Sequence, residues 1–360
     1  MTGTVMRTAL RKSLAQIQHV RPVPPGAADG LVAEVYRQGE AEFGMIAPPM
    51  ALHSPAPSVL AASWLMLRET LLVSGLVSRA RREAVAAAVS LGNACPYCVE
   101  VHGTTLRGLG SRTDAEAILA DRIDTVTDPD LRAIAAWART SGVRDTATAA
   151  PVAGEQVPEL LGVATVFQYL NRMVHVFLGD SPLPPGTPDA AKGVARWVLA
   201  RVMRPSALVG RVPGASLDLL PAAAPHADFA WAAPTPHVAE AFARAGAAIE
   251  TQARDAVPEP VRALVLDHLA TWSGRPSGPS RAWVHDAVSG LSERDRPAGR
   301  LALLTAVSSY QVDGGLLDDV RTQGADDAAL VTLTSWSSLA AARRISTWTP
   351  ITVPAVPRQR

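Results

Sequence analysis

The sequence predicts an all-α fold, on three observations. Apolar residues recur at helical spacing in several long segments. No run of alternating β-branched residues reads as a strand. Alanine is abundant and aromatics are only 5% of the chain, a composition of small side chains that suits closely packed helices.

Taken in order, the elements follow from local signals. A proline- and glycine-rich start at residues 21–30 leads into a helix near 31–43. Residues 53–57 form a turn, and 59–72 form a helix on which Leu60, Trp64, Leu65, Leu67 and Leu71 recur, broken by Gly75. The alanine-rich stretch 81–91 is the next helix. Pro96 then opens another, with Cys95 at the cap and Gly110 as the stop. Thr113 followed by Glu116 has the spacing of a capping box, so a helix over 113–120 is expected to start at Thr113. Asp128 before Pro129 begins another helix, to Thr140, and 158–177 is long and apolar. Trp64, Trp137 and Trp336 are assigned to the core. The acidic pairs Asp318-Asp319 and Asp326-Asp327 are assigned to solvated helix ends.

At 360 residues two domains are expected. The division is a first unit over 21–180, a Pro/Gly-rich connection with a helix near 189–203 over 181–225, and a second helical unit over 226–350. The second half echoes the first. Residues 54–64 match 233–243, 82–89 match 261–268, 128–138 match 296–306, and 167–174 match 335–345, in the same order. The second copy has no cysteine, and Arg262 falls where Glu83 stands.

A net charge of +1 argues for neither nucleic acid nor a charged surface as partner. Residues 1–20 lack the apolar core of a secretory leader, and no apolar run reaches the roughly 18 residues of a membrane span, so the cytoplasm is the default location. The role of those first 20 residues is open.

Chemistry concentrates at residues 91–110, LGNACPYCVEVHGTTLRGLG. Cys95 and Cys98 are the only cysteines, spaced C-x-x-C, and His102 follows at a spacing that places all three on one helical face. A lone pair in a chain of this length is redox-active or metal-binding rather than a disulfide framework. Structural zinc wants four ligands, and the other histidines (His19, His53, His175, His226, His237, His268 and His285) are scattered, so no metal is expected. Two inert buried cysteines would not explain the coincident Glu83 and His102. The helix start stabilises a thiolate. One thiolate can attack an oxidant, and its neighbour can condense with the resulting sulfenic acid. His102 can take the thiol proton, and a carboxylate such as Glu83 can orient the ring. His175, on an apolar helix, is read as a packed, hydrogen-bonded residue, with a place in the lining of the site left open; Tyr97 packs or presents its hydroxyl near the thiols.

Glu83, Cys95, Cys98 and His102 together resemble the E-x11-C-x-x-C-x3-H pattern of alkylhydroperoxidase D-like proteins, within the carboxymuconolactone decarboxylase family. The preceding NAC and the stretch LNRMVHVFLG at 170–179 are similar too. The resemblance covers about 40–180, with a weaker echo from about 230 to 348. It implies a helical bundle, here in two tandem copies with the second lacking the cysteine pair, that often assembles into symmetric oligomers. It further implies Cys98 as the peroxide-attacking thiolate, Cys95 as the resolving thiol, and Glu83 and His102 as a proton relay. The implied substrates are a hydroperoxide and an external dithiol reductant, protein or lipoyl-type, with no bound cofactor. Tyr97 departs from the pattern, since a histidine can stand between the cysteines. Two rivals are a non-enzymatic redox-sensing helical protein and a lyase of the decarboxylase branch; that branch works without the cysteine pair.

Overall fold

A computed structural model describes residues 13–183, 193, 201 and 204–351. Among them there is no strand, and the architecture is all helical as expected. The first half comprises α1 (Gly30–Gln38), α2 (Pro48–Ala51), α3 (Pro57–Leu67), α4 (Arg79–Gly92), α5 (Pro96–Leu109), α6 (Arg112–Leu119), α7 (Pro129–Thr140) and α8 (Val157–Phe177). The second comprises α9 (Pro236–Ala256), α10 (Glu259–Thr271), α11 (Ala282–Ala287), α12 (Arg296–Ser308), α13 (Gly314–Thr322) and α14 (Asp327–Ser346). The helix expected at 189–203 lies outside the described residues, apart from its isolated positions 193 and 201.

The helix ends follow from local chemistry. The Asp128 carboxylate accepts from the Asp130 and Leu131 amides and so caps α7 ahead of Pro129. The capping box assigned to Thr113 is not used. Ser111 caps α6 instead, accepting from the Asp114 amide, which moves the cap two residues earlier than expected. Helices α1 and α3 each run on into a π-helical turn, Gly39–Phe43 and Arg68–Leu72. Arg68 ties the two turns together, pairing with Glu42 at 2.7 Å and with Glu69 at 2.5 Å. The connection to the second half crosses this cluster. The Ser74 amide donates to the Arg211 carbonyl, and the Gly214 amide donates to Glu69.

Helix α8 is the centre of the molecule. Every one of its residues except His175 is buried. A helix buried on all sides must satisfy each polar group internally. Glu159 accepts from the Leu76 and Val77 amides at 2.7 and 2.9 Å. Arg172 donates to the Ala306 carbonyl. The Tyr169 hydroxyl bonds His53 and Ser335. Packing across the halves is led by α8 against α14 and by α3 against α9. These are the same pairs that echo each other in sequence, and elements near a twofold axis pack on their own mates. Buried apolar side chains form one cluster running from Leu14 to Ile345 across both halves. Trp64, Trp137 and Trp336 are all in it, their indole N–H groups donating to Gln38, the Thr148 carbonyl and Glu250. The two acidic pairs are not simply solvated: Asp326 caps α14, Asp327 pairs with Arg321, and Asp319 pairs with Arg300.

His53, wholly buried, has its pKa pushed down by burial from 6.5 to about 4. The unfolded chain therefore binds a proton before the fold does, so stability falls as pH drops from about 6.5 to about 4. The loss amounts to up to about 3 kcal/mol for the full shift. Urea unfolding across that window should record the loss, and His53→Gln should shrink it. An equal pH slope in the variant would show that this imidazole is not responsible.

Candidate active site

Helix α4 ends at Asn93, and the chain turns through Ala94, a non-glycine residue held at a φ of 52°. That left-handed backbone costs on the order of 1 kcal/mol. It sets Cys95 at the cap of α5, with its amide donating to the Ser90 carbonyl at 2.9 Å and Pro96 in the first turn, as the sequence predicts. Both cysteines are buried and unbridged. The two sulfurs interact with each other, Cys95 also with His175 and Cys98 also with Asn171. Asn171 is oriented by Ser90 and Asn93 on α4, at 3.0 and 2.9 Å.

Burial opposes a charge on Cys95, but the hydrogen bonds from Cys98 and His175, together with the His175 charge, outweigh it and hold the thiol well below its usual range. Cys98 moves the other way: it is the donor to Cys95, it is buried, and a second negative charge beside the first is unfavourable. Burial and the neighbouring sulfur charges likewise keep the Tyr97 hydroxyl protonated.

One turn along α5, His102 Nδ1 lies 2.7 Å from Glu83 Oε2. The other carboxylate oxygen accepts from Arg79 at 2.7 Å. Burial pushes Glu83 up, yet Arg79 and His102 outweigh it and keep the carboxyl below the usual range. The edge of the His102 ring meets Phe167, with centroids 4.5 Å apart.

The two sulfurs open on different spaces. Cys98 and His102 line an apolar cavity of about 80 Å³ walled by Phe43, Met45, Met50, Trp64 and Phe167. Cys95 lines a wider groove of about 610 Å³, where Glu100, Thr104, Arg107 and Glu116 stand among Leu91, Val99 and Leu119. The structure thus brings all four expected residues into one region and pairs Glu83 directly with His102. Sequence reasoning missed Arg79, although it stands four residues before Glu83 on one helix face. It also missed Asn171. His175, expected as a packed, hydrogen-bonded residue, is bonded at both ring nitrogens.

The model of the carboxymuconolactone decarboxylase family matches residues 59–140, the segment that carries this site. The whole chain is similar to an alkyl hydroperoxide reductase of Mycobacterium tuberculosis, 38% identical over 335 residues, which covers 92% of this chain and 94% of that protein. The chain belongs to the carboxymuconolactone decarboxylase family. The matched segment encloses Glu83, Cys95, Cys98 and His102. Among the described residues of this family member, no group of three or more His, Cys, Asp or Glu is placed to hold a metal. No helix among them is long and apolar enough to cross a membrane.

Because its thiol is depressed, Cys95 should retain alkylation by iodoacetamide below pH 7 in the reduced protein, while Cys98 reacts slowly. Peptide mass mapping across a pH series reads both, and dominant labelling of Cys98 would reverse the placement of charge. Removing one partner of a buried ion pair typically costs about 3–5 kcal/mol. Glu83→Ala should fall in that range by urea unfolding; a loss below about 1 kcal/mol would mean that Arg79 and His102 do not depend on it.

Proposed function

We propose that this chain is a thiol-dependent peroxidase that reduces organic hydroperoxides through Cys98 and Cys95 and is restored by an external dithiol. One observation carries the reading: Cys98 shares an apolar cavity with an imidazole held on a buried carboxylate, while Cys95 opens on a separate, wider groove that carries charged side chains. The similarity to an alkyl hydroperoxide reductase supports it.

In the reaction, His102 takes the Cys98 proton as a hydroperoxide enters the apolar cavity, and Glu83 compensates the charge on the ring. The Cys98 sulfur attacks the distal peroxide oxygen. The S–O bond forms, the O–O bond breaks, and the departing alkoxide takes the proton from His102 to leave as an alcohol. Cys98 is now a sulfenic acid. The Cys95 thiolate, already ionised and within hydrogen-bonding reach, attacks the Cys98 sulfur. The S–O bond breaks, and hydroxide leaves as water with a proton from solvent. A dithiol then reduces the disulfide by exchange, entering through the groove at Cys95.

A second reading reverses the sulfurs, with Cys95 attacking peroxide and Cys98 resolving. It is favoured by the resting charge on Cys95. Cys95→Ser and Cys98→Ser separate the two. Both should lose catalytic turnover of cumene hydroperoxide by at least about a hundredfold, since each breaks the covalent cycle. Only Cys95→Ser should accumulate a sulfenic acid that dimedone traps. Trapping in Cys98→Ser instead selects the reversed order. Full turnover in both would remove the dithiol mechanism altogether.

A further inference from the structure

His175 is the one residue of α8 that is not buried, and it emerges beside the thiol pair. Its ring is held at both nitrogens. Nδ1 lies 2.8 Å from Ser309 Oγ, and Nε2 lies 3.1 Å from the Ala94 carbonyl, next to Cys95. The ring of Tyr310 closes the outer side edge-on, with centroids 6.5 Å apart. Ser309 begins the turn Ser309–Gln311 that ends α12, in the half of the chain that has no cysteine. One helical turn earlier, Ala306 accepts from Arg172 at 2.9 Å. Two residues three apart on α8 are thus bonded to two residues three apart in the second half. A hydroxyl can donate to a neutral ring nitrogen or accept from a protonated one, so Ser309 supports the ring in either state.

We propose that the second half completes the site: Ser309 positions His175 beside Cys95, so that His175 serves the exchange with the reductant while His102 serves the peroxide. This rests on the peroxidase reading above. The first thiolate of the donor attacks Cys95 in the Cys95–Cys98 disulfide. A mixed disulfide forms, and Cys98 leaves and takes up a proton. The second donor thiolate then attacks the donor sulfur of the mixed disulfide. The donor closes its own disulfide, oxidised by two electrons, and Cys95 leaves as a thiolate beside the His175 ring. One donor proton ends on Cys98 and the other in solvent. A leaving thiolate departs faster the better its charge is stabilised, which is the step His175 would assist.

The titratable and charged groups around Cys95 are His175 on α8, Cys98 and Tyr97 on α5, Tyr310 from the second half, and Glu100, Arg107 and Glu116 about the groove. The test uses the full chain with His175→Gln, Ser309→Ala and Ser309→Thr, each checked for folding by circular dichroism. The first readout is the pH midpoint of Cys95 alkylation. The second is single-turnover reduction of the isolated disulfide form by dihydrolipoamide. His175→Gln should raise the midpoint by at least about one pH unit and slow reduction about tenfold or more, as one unit of thiol pKa corresponds to a tenfold change in charge stabilisation. Ser309→Ala should move both in the same direction by a smaller factor, and Ser309→Thr should restore them. If His175→Gln does not fold, the Ala and Thr variants at Ser309 decide by the same two readouts. Unchanged midpoints and rates in the folded variants would overturn the proposal. A shifted midpoint in a protein that consumes no hydroperoxide would leave the Cys95–His175 coupling standing and remove the peroxidase reading instead.

Discussion

The burial of α8 on every side constrains the rest of the molecule. A helix in that position cannot send its polar side chains to water, so each must end on a partner supplied by a neighbouring element. Asn171 ends on α4 and on the Cys98 sulfur, Tyr169 on His53 and α14, and Arg172 on the end of α12. The same bonds that satisfy the helix hold the thiol pair in register with both halves. The reactive centre is thus a consequence of the packing and is not confined to the loop that carries the cysteines.

The charge distribution about the sulfurs follows from geometry. Two adjacent thiols in a buried site do not both ionise easily, and the sulfur nearest an imidazole takes the charge. Here that sulfur is Cys95, at the helix cap and against His175, with Cys98 as its donor. A second imidazole, His102, stands on the far side with its own carboxylate. Two sulfurs and two rings thus stand between two separate spaces, a small apolar cavity at Cys98 and a wider groove with charged side chains at Cys95.

The second half takes on a physical role in this light. Its α9 and α14 cover the faces of α3 and α8 that a lone first half would leave exposed, as an isologous partner does between separate chains. The similarity to the mycobacterial reductase extends over nearly the whole length of both proteins, second half included.

Much of this was legible in the sequence because it depends on neighbours close along the chain. Helical periodicity marked the elements, Pro96 placed Cys95 at a cap, and the spacing from Glu83 to His102 signalled a carboxylate–imidazole pair before its 2.7 Å contact was known. Local rules failed where two local options competed. Ser111 and Thr113 are both able caps, and Ser111 takes the place by accepting from the Asp114 amide. The π turns after α1 and α3 follow from the Arg68 cluster, which joins residues 26 positions apart. The sequence by itself therefore determined the helical class, the thiol pair and its nearest base. Only the tertiary structure decided that His175 reaches Cys95, because the residue that orients its ring lies 134 positions away and no spacing rule acts over that distance.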